Sequence, residues 1–186
     1  MHAQVLGDII GRVQAPPALV LSGPPGVGKT SVGWRVFDRC TDLGLAPAFA
    51  DLDFLGAAWP APDDDPHQSR LKATNLAAVW SNSRQTGSRR LIVAGVVENL
   101  NDRRQLETAT GGPVVICRLD APDADLAQRI HDRGRESGAS LTKLVARAAE
   151  LSALLIADDV SDFAINTAAR TIDDIADDVL THWQAE

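Results

Sequence analysis

Tyrosine is absent from the 186-residue sequence, and aromatic residues make up only 4% of it. One common acid–base side chain is thereby excluded from any site. Cysteine occurs twice, as Cys40 and Cys117. Both lie inside apolar segments, at a spacing that forms no recognisable metal motif. The expectation is two reduced core thiols in a cytoplasmic protein. The histidines, His2, His67, His131 and His182, do not cluster with acids or cysteines, which argues against a histidine-built metal site. No apolar run approaches the roughly 18–20 residues of a membrane span. Met1 to Gly11 carries Asp8 and no basic leader ahead of an apolar run, so no secretory signal is expected. Positive charge is also scarce: 18 Lys and Arg face 25 Asp and Glu, for a net charge of −7. Nucleic acid and anionic membranes would be repelled at long range. A small, locally basic site for phosphate groups remains compatible with that balance.

Hydrophobic residues make up 45% of the chain and charged residues 23%, enough for one buried core and one domain over residues 1–186. Apolar runs with strand character alternate with helical patterns. Ala18–Ser22 reads as a buried strand, and the helix after it, 31–42, sets Val32, Val36, Cys40 and Leu43 on one face. Pro47–Asp51 is a second strand. A Pro- and Asp-rich loop, Trp59–Pro66, follows, with Asp65 and Pro66 as N-cap and first-turn residues of a helix over 68–85. Arg90–Val97 is nearly continuous in apolar character, as a parallel strand covered on both faces requires. A short helix, 101–110, closes at Gly111 and Gly112, and Val114–Leu119 is the fourth strand. The helix over 122–133 stops at Gly134, a left-handed cap. Leu141, Leu144, Val145, Ala148, Leu151 and Leu155 form a helical stripe. Asp162–Asn166 is the last strand, and Ile172, Ile175, Val179 and Trp183 line one face of the final helix. Such alternation implies βαβ units, hence an α/β fold with a parallel sheet between two helical layers.

Residues 23–30 read Gly23-Pro24-Pro25-Gly26-Val27-Gly28-Lys29-Thr30 and fit G-x-x-x-x-G-K-[ST], the P-loop or Walker A pattern. The string follows an apolar strand and opens an amphipathic helix at Thr30 and Ser31, as its mechanism needs. Glycines let backbone amides wrap a phosphate, and the helix N-terminus adds its positive end. Lys29 would neutralise the β- and γ-phosphates, and the Thr30 hydroxyl would be a Mg²⁺ ligand.

Other residues point to the kind of phosphate chemistry. Asp51 and Asp53 stand at the carboxyl end of the second strand, the edge that faces the ligand crevice in such sheets. In an extended segment they would project to one side. Asp51 could then hold Mg²⁺ through water, and Asp53 orient or deprotonate a hydroxyl. Arg129, Arg133 and Arg135 gather at the end of the helix after the fourth strand. They are expected to border a lid-like segment over 129–140 and to reach the transferring phosphoryl, although a helix dipole alone also favours basic residues there. Glu98, late after the third strand, is the nearest acid to a Walker B position, and Arg103 is a candidate for an anionic substrate. Trp59, Trp80 and the Asp63–Asp65 loop would flank the acceptor side, with Trp34 and Trp183 in packing roles.

With these residues the chain resembles the small P-loop kinases of the nucleoside/nucleotide kinase-like group, gluconate, shikimate and adenylylsulfate kinases above all. The shared pattern is the P-loop at the first strand, Asp51-x-Asp53 after the second, the basic strip Arg129–Arg135, and the turn Asn166–Arg170 before the last helix. It is also similar to a group of actinobacterial ATP-binding proteins of unassigned substrate, which show the same Asp-Leu-Asp, Trp-Pro-x-Pro-Asp-Asp-Asp-Pro and Asn-Leu-Ala-Ala-Val-Trp stretches (Asn75–Trp80 here). The resemblance implies a three-layer P-loop NTPase fold with a five-stranded parallel sheet in the order 2-3-1-4-5. It implies that Arg129 borders the adenine, that Arg133 or Arg135 belongs to the lid, and that the turn carrying Arg170 borders the base. Gluconate kinases carry a Cys-Ser-Ala-Leu-like run where this chain has Ala94-Gly95-Val96-Val97. The Gly-Gly pair of shikimate kinases has no counterpart at the expected distance. Neither sugar acid is therefore assigned.

Two functions fit. The first is an ATP- and Mg²⁺-dependent phosphotransferase acting on a small-molecule hydroxyl or phosphate, as a monomer or homodimer. The second is a nucleotide-binding switch without an acceptor.

Overall fold

The computed structural model describes residues 18–185. In chain order the elements are β1 (Ala18–Ser22), α1 (Lys29–Asp42), β2 (Pro47–Asp51), the single turn α2 (Leu52–Leu55), α3 (Ser69–Gln85), β3 (Arg90–Ala94), α4 (Leu100–Thr110), β4 (Val114–Asp120), α5 (Asp123–Asp132), α6 (Gly138–Ala157), β5 (Phe163–Asn166) and α7 (Ile172–Ala185). The strands form one sheet in the order β2-β3-β1-β4-β5, and every pairing is parallel. The order and the two helical layers are those expected.

Strand alternation builds two cores. Leu19, Leu21, Ile92, Val115, Cys117 and Leu119 point to one face and pack with Val32, Val36 and Cys40 of α1 and Ile175, Val179 and Trp183 of α7. Ala18, Val20, Leu91, Val93, Val114 and Ile116 point to the other and meet Leu76 and Trp80 of α3 and Leu106 of α4. Each fully buried aliphatic side chain contributes about 1.5–3 kcal/mol. β1 is buried along its whole length because it has strands on both edges and helices on both faces. Its carboxyl end, with those of β2 and β3, opens on one edge of the sheet, where Asp51 stands level with Ala94.

Several expectations are corrected. β3 ends at Ala94, not Val97. Beyond it the Gly95 amide still donates to Leu21 O, but the Val97 amide turns to Ser22 Oγ at 3.1 Å, so the ladder stops. α3 begins at Ser69, and Gln68 at its start adopts φ 54°. Asp65 caps it from further upstream, its carboxylate accepting the Ser69 and Arg70 amides at 2.8 and 3.1 Å. Leu43 lies past the end of α1, and Ile172 opens α7, so both are exposed rather than on a buried face. Trp80 is core, not acceptor wall. In the stripe of α6, Ala148, Leu151 and Leu155 are buried and Leu141, Leu144 and Val145 half-buried. Both cysteines are buried thiols, and burial pushes Cys40 up to about 11. No helix among the described residues is long and apolar enough to cross a membrane.

Candidate functional site

The segment 23–28 leaves β1 at the open edge and folds back over the sheet. Its glycines are sterically required. Gly26 has φ 87°, and a Cβ there would lie 2.8 Å from Leu126 O; Gly28, the N-cap of α1, has φ 105°. Val27 anchors the turn in the core. Lys29 is half-buried, and its Nζ donates to Gly23 O at 2.8 Å and Pro24 O at 3.1 Å, spanning the loop. Burial lowers its pKa to about 8, against the opposing pull of Asp53 and Asp51, and Arg133 lowers it further.

The Thr30 hydroxyl donates to Asp51 Oδ2 at 2.8 Å, while Asp51 Oδ1 accepts the Asp53 amide at 2.9 Å. Asp51 thus ends β2, caps the turn α2 and meets the P-loop helix at once. Asp53 sits in that helical turn, so the two carboxylates do not share a side by strand alternation. They converge on the loop all the same, since both bear on the Lys29 ammonium.

Lys29, Thr30 and Asp53 line a cleft of about 510 Å³, and Asp51 stands beside it through its bond to Thr30. Pro25, Gly26, Gly28, Lys29, Thr30 and Asp53 line it from the loop and α2, and Arg133 and Arg135 line it from the segment after α5. Across from the loop lie Ser69, Lys72 and Ala73 of α3, and Glu98, Asn99 and Asp102 around the start of α4. Glu98 Oε1 accepts from Arg147 Nη2 at 2.8 Å, which ties α6 to the cleft floor. Glu136, between α5 and α6, keeps one carboxylate oxygen buried with no hydrogen-bond partner.

Three arginines singled out by the sequence bond to the scaffold. Arg103 is not at the cleft. It donates to Val160 O at 2.9 Å, Val114 O at 3.1 Å and Asp162 at 3.0 Å, clasping α4 to β4 and to the segment before β5. Arg170 is bound to Asp178 at 2.7 Å and to Asp174 O, along α7. Both guanidinium groups bond to the scaffold. Arg129 reaches Val27 O at 3.4 Å and both oxygens of Thr167 at 3.0 Å, joining the P-loop backbone to the turn after β5. Arg147 and Lys72 were not read as site residues. Each sits inside a helical pattern, and only the crossing of α6 and α3 over the sheet edge brings them to the cleft.

No protein-family model and no curated protein matches the sequence. Solved structures do match. A gluconokinase from Sinorhizobium meliloti superposes with a TM-score of 0.63 at 22% identity, over 92% of this chain and 93% of that one. The shikimate kinase of Acinetobacter baumannii, in complex with shikimate, gives 0.59 at 20%, over 89% and 92%. The fold is that of the P-loop small-molecule kinases. The tunicamycin resistance protein of Deinococcus radiodurans shares this P-loop kinase fold too, with a TM-score of 0.61 at 19% identity over 90% and 95%.

The residues fit a nucleotide and its divalent cation. The glycine turn packs against α5, where a Cβ at Gly26 would meet Leu126 O at 2.8 Å and Ile130 Cγ1 at 3.1 Å, while a Cβ at Gly28 would meet nothing within 4 Å. The Thr30 and Asp51 oxygens pair at the helix start, a hard-oxygen donor set suited to magnesium. Among the described residues no group of three His, Cys, Asp or Glu could hold a metal, so a cation here would depend on phosphate and water for its remaining ligands.

Proposed function

We propose that this chain binds ATP on residues 23–31 and moves its γ-phosphoryl group to a hydroxyl or phosphate of a small molecule held across the cleft. The observation that carries this reading is that Lys29, Thr30 and Asp53 line one cleft, with Asp51 bonded to Thr30 beside it and space between them and the residues of α3 and α4 that line the same cleft. A switch protein needs the first three but has no use for a free carboxylate facing an acceptor space.

In this reading the loop amides and Lys29 bind the β- and γ-phosphates, and Lys29 exchanges its two carbonyl partners for phosphate oxygens. Arg129 braces the loop from the base side. Magnesium, when bound at Thr30 and Asp51, supplies charge neutralisation to the phosphate oxygens. Asp53 accepts the proton of the acceptor hydroxyl as its oxygen bonds to phosphorus and the bond to the bridging oxygen of ADP breaks. Arg133, with Arg135, stabilises charge on the transferring group and closes the lid side against water.

The test is ADP release from purified protein with Mg–ATP across a panel of hydroxylated metabolites. Lys29→Ala is expected to abolish nucleotide binding. Asp53→Asn is expected to keep ATP affinity and to lower transfer by roughly 10²–10⁴-fold. If no acceptor stimulates turnover, the phosphotransferase reading falls and the switch reading takes its place; if stimulated turnover survives Asp53→Asn, Asp53 is not its base.

A further inference from the structure

Asp51 and Asp53 are separated by one apolar residue. Leu52 is the first residue of α2 and the buried side chain of that turn, whereas Asp53 and Phe54 after it are exposed. A helix of four residues does not hold itself, because nucleation costs more than one turn of hydrogen bonds returns. The position of α2, and of the carboxylates at its start, is therefore set by what the turn packs against. Its far end is fastened to α3. Leu55 O accepts Asn75 Nδ2 at 2.7 Å, and Ala58 O, past the C-cap Gly56, accepts Gln68 Nε2 at 2.6 Å. Its near end is set by Leu52, which enters the core with Ala50 and Val97.

Gly95 explains how closely Leu52 approaches the sheet. It follows β3, is buried, and still donates its amide to Leu21 O. Its φ is not positive, so the backbone there admits any residue. What demands glycine is the neighbour: a Cβ at this position would collide with Leu52 Cδ1 and lie 2.7 Å from Leu52 Cγ and 2.9 Å from Leu52 Cβ. A change of rotamer relieves the first contact, but only a backbone shift of α2 relieves the last. Gly56 makes the contrast. The three atoms nearest a Cβ there all belong to the stem of Lys72, a chain that can swing aside. Gly95 is thus a notch for a side chain that stands between two acids. Asp51, level with Ala94 on β3, directs Oδ2 to the Thr30 hydroxyl and Oδ1 to the Asp53 amide, so a shift of the Leu52 backbone would pull on both bonds.

We infer that Leu52, seated in the notch over Gly95, is the positioning residue that sets Asp51 against Thr30 and so fixes the oxygen pair offered to magnesium. The inference rests on the nucleotide and magnesium part of the proposed function. It adds the end of β3 to the elements that build that site, through packing alone and without a polar contact.

The experiment measures ATP affinity of the full chain by calorimetry, in EDTA and at stepped Mg²⁺ concentrations, for wild type, Gly95→Ala, Leu52→Ala and the double variant. In EDTA, where the P-loop alone holds the nucleotide, all four should bind ATP alike. The Mg²⁺ concentration that gives half of the gain in affinity should rise roughly tenfold in each single variant. In the double variant the new methyl takes space that the leucine vacates, and the rise should be no larger than in either single one. A general loosening of the fold would instead weaken binding in EDTA as well, and its effects would add in the double variant. Leu52→Val keeps the position buried and should give a rise of about two- to threefold, which carries the test if an alanine variant does not fold. An unshifted Mg²⁺ requirement in the folded variants, an equal loss with and without Mg²⁺, or additive effects in the double variant overturns the inference. A wild-type chain that binds no ATP overturns it together with the nucleotide reading. A chain that shows the expected Mg²⁺ shifts but phosphorylates no acceptor upholds it and removes the kinase reading instead.

Discussion

Lys29 shows how one residue can be costly alone and useful when liganded. Its ammonium is half-buried against backbone carbonyls, and desolvation brings its pKa down to about 8. A bound polyphosphate would supply the counter-charge and raise that value. Below pH 8 the ammonium is charged in both free and bound protein, and affinity should be level. Above it, binding must take up a proton, and affinity should fall by up to about tenfold per pH unit. ATP titrations from about pH 7 to 9.5 check this, and flat affinity across that range would remove Lys29 from the phosphate site. For stability the sign is opposite. The folded pKa lies below the ordinary lysine value of 10.5, so the free fold gains stability as pH rises from about 8 towards 10.5. Arg103 makes the contrasting case. With two backbone carbonyls and Asp162 depending on it, Arg103→Ala should cost about 1–3 kcal/mol in chemical denaturation, and ATP affinity should not change.

Among the elements, α1 and α3 carry the site. Gly33 of α1 faces the Phe49 ring of β2, and a Cβ there would sit 2.5 Å from Cε2. Alanine would add about 0.8–1.0 kcal/mol of helix propensity. The ring cannot swing freely, because Trp34 packs against it, tilted by 34° with centroids 4.5 Å apart. The clash should therefore win, and Gly33→Ala is expected to lower stability by about 1 kcal/mol net, read by thermal unfolding. A melting point at or above wild type would mean that the aromatic pair yields. For α3 the decisive group is Asp65, whose carboxylate takes two amides of the first turn. Asp65→Ala should lose about 1 kcal/mol, read by thermal unfolding.

At the scale of the whole molecule, the cleft is assembled from the P-loop, α2, α3, the start of α4, the segment after α5, and α6. A ligand there joins pieces far apart in the chain and binds only the folded form. At 100 times its dissociation constant, ATP should add about 2.7 kcal/mol of stability, a rise of about 5–10 °C in Tm for a chain of this size. Differential scanning fluorimetry with and without Mg–ATP measures it, and the Lys29→Ala protein should show no rise.

The βαβ order, the strand positions and the nucleotide loop could be read from the residues alone, because each rests on short-range patterns: alternating apolar runs, helical stripes, and glycines next to a lysine and a threonine. Asp51 was legible for the same reason, as it ends a strand that faces the crevice. Asp53 was found with the wrong local geometry, since periodicity does not say that one helical turn begins directly after β2. Arg103 and Arg170 look like Arg133 in sequence. They differ only in which carboxylates and carbonyls the folded chain brings to them. Lys72, Gly56 and Arg147 had no local signal, because their placement depends on how α3 and α6 cross the sheet edge. Side-chain chemistry is local and readable one residue at a time, whereas the pairing of charges across a cleft is set by packing between elements distant in the chain.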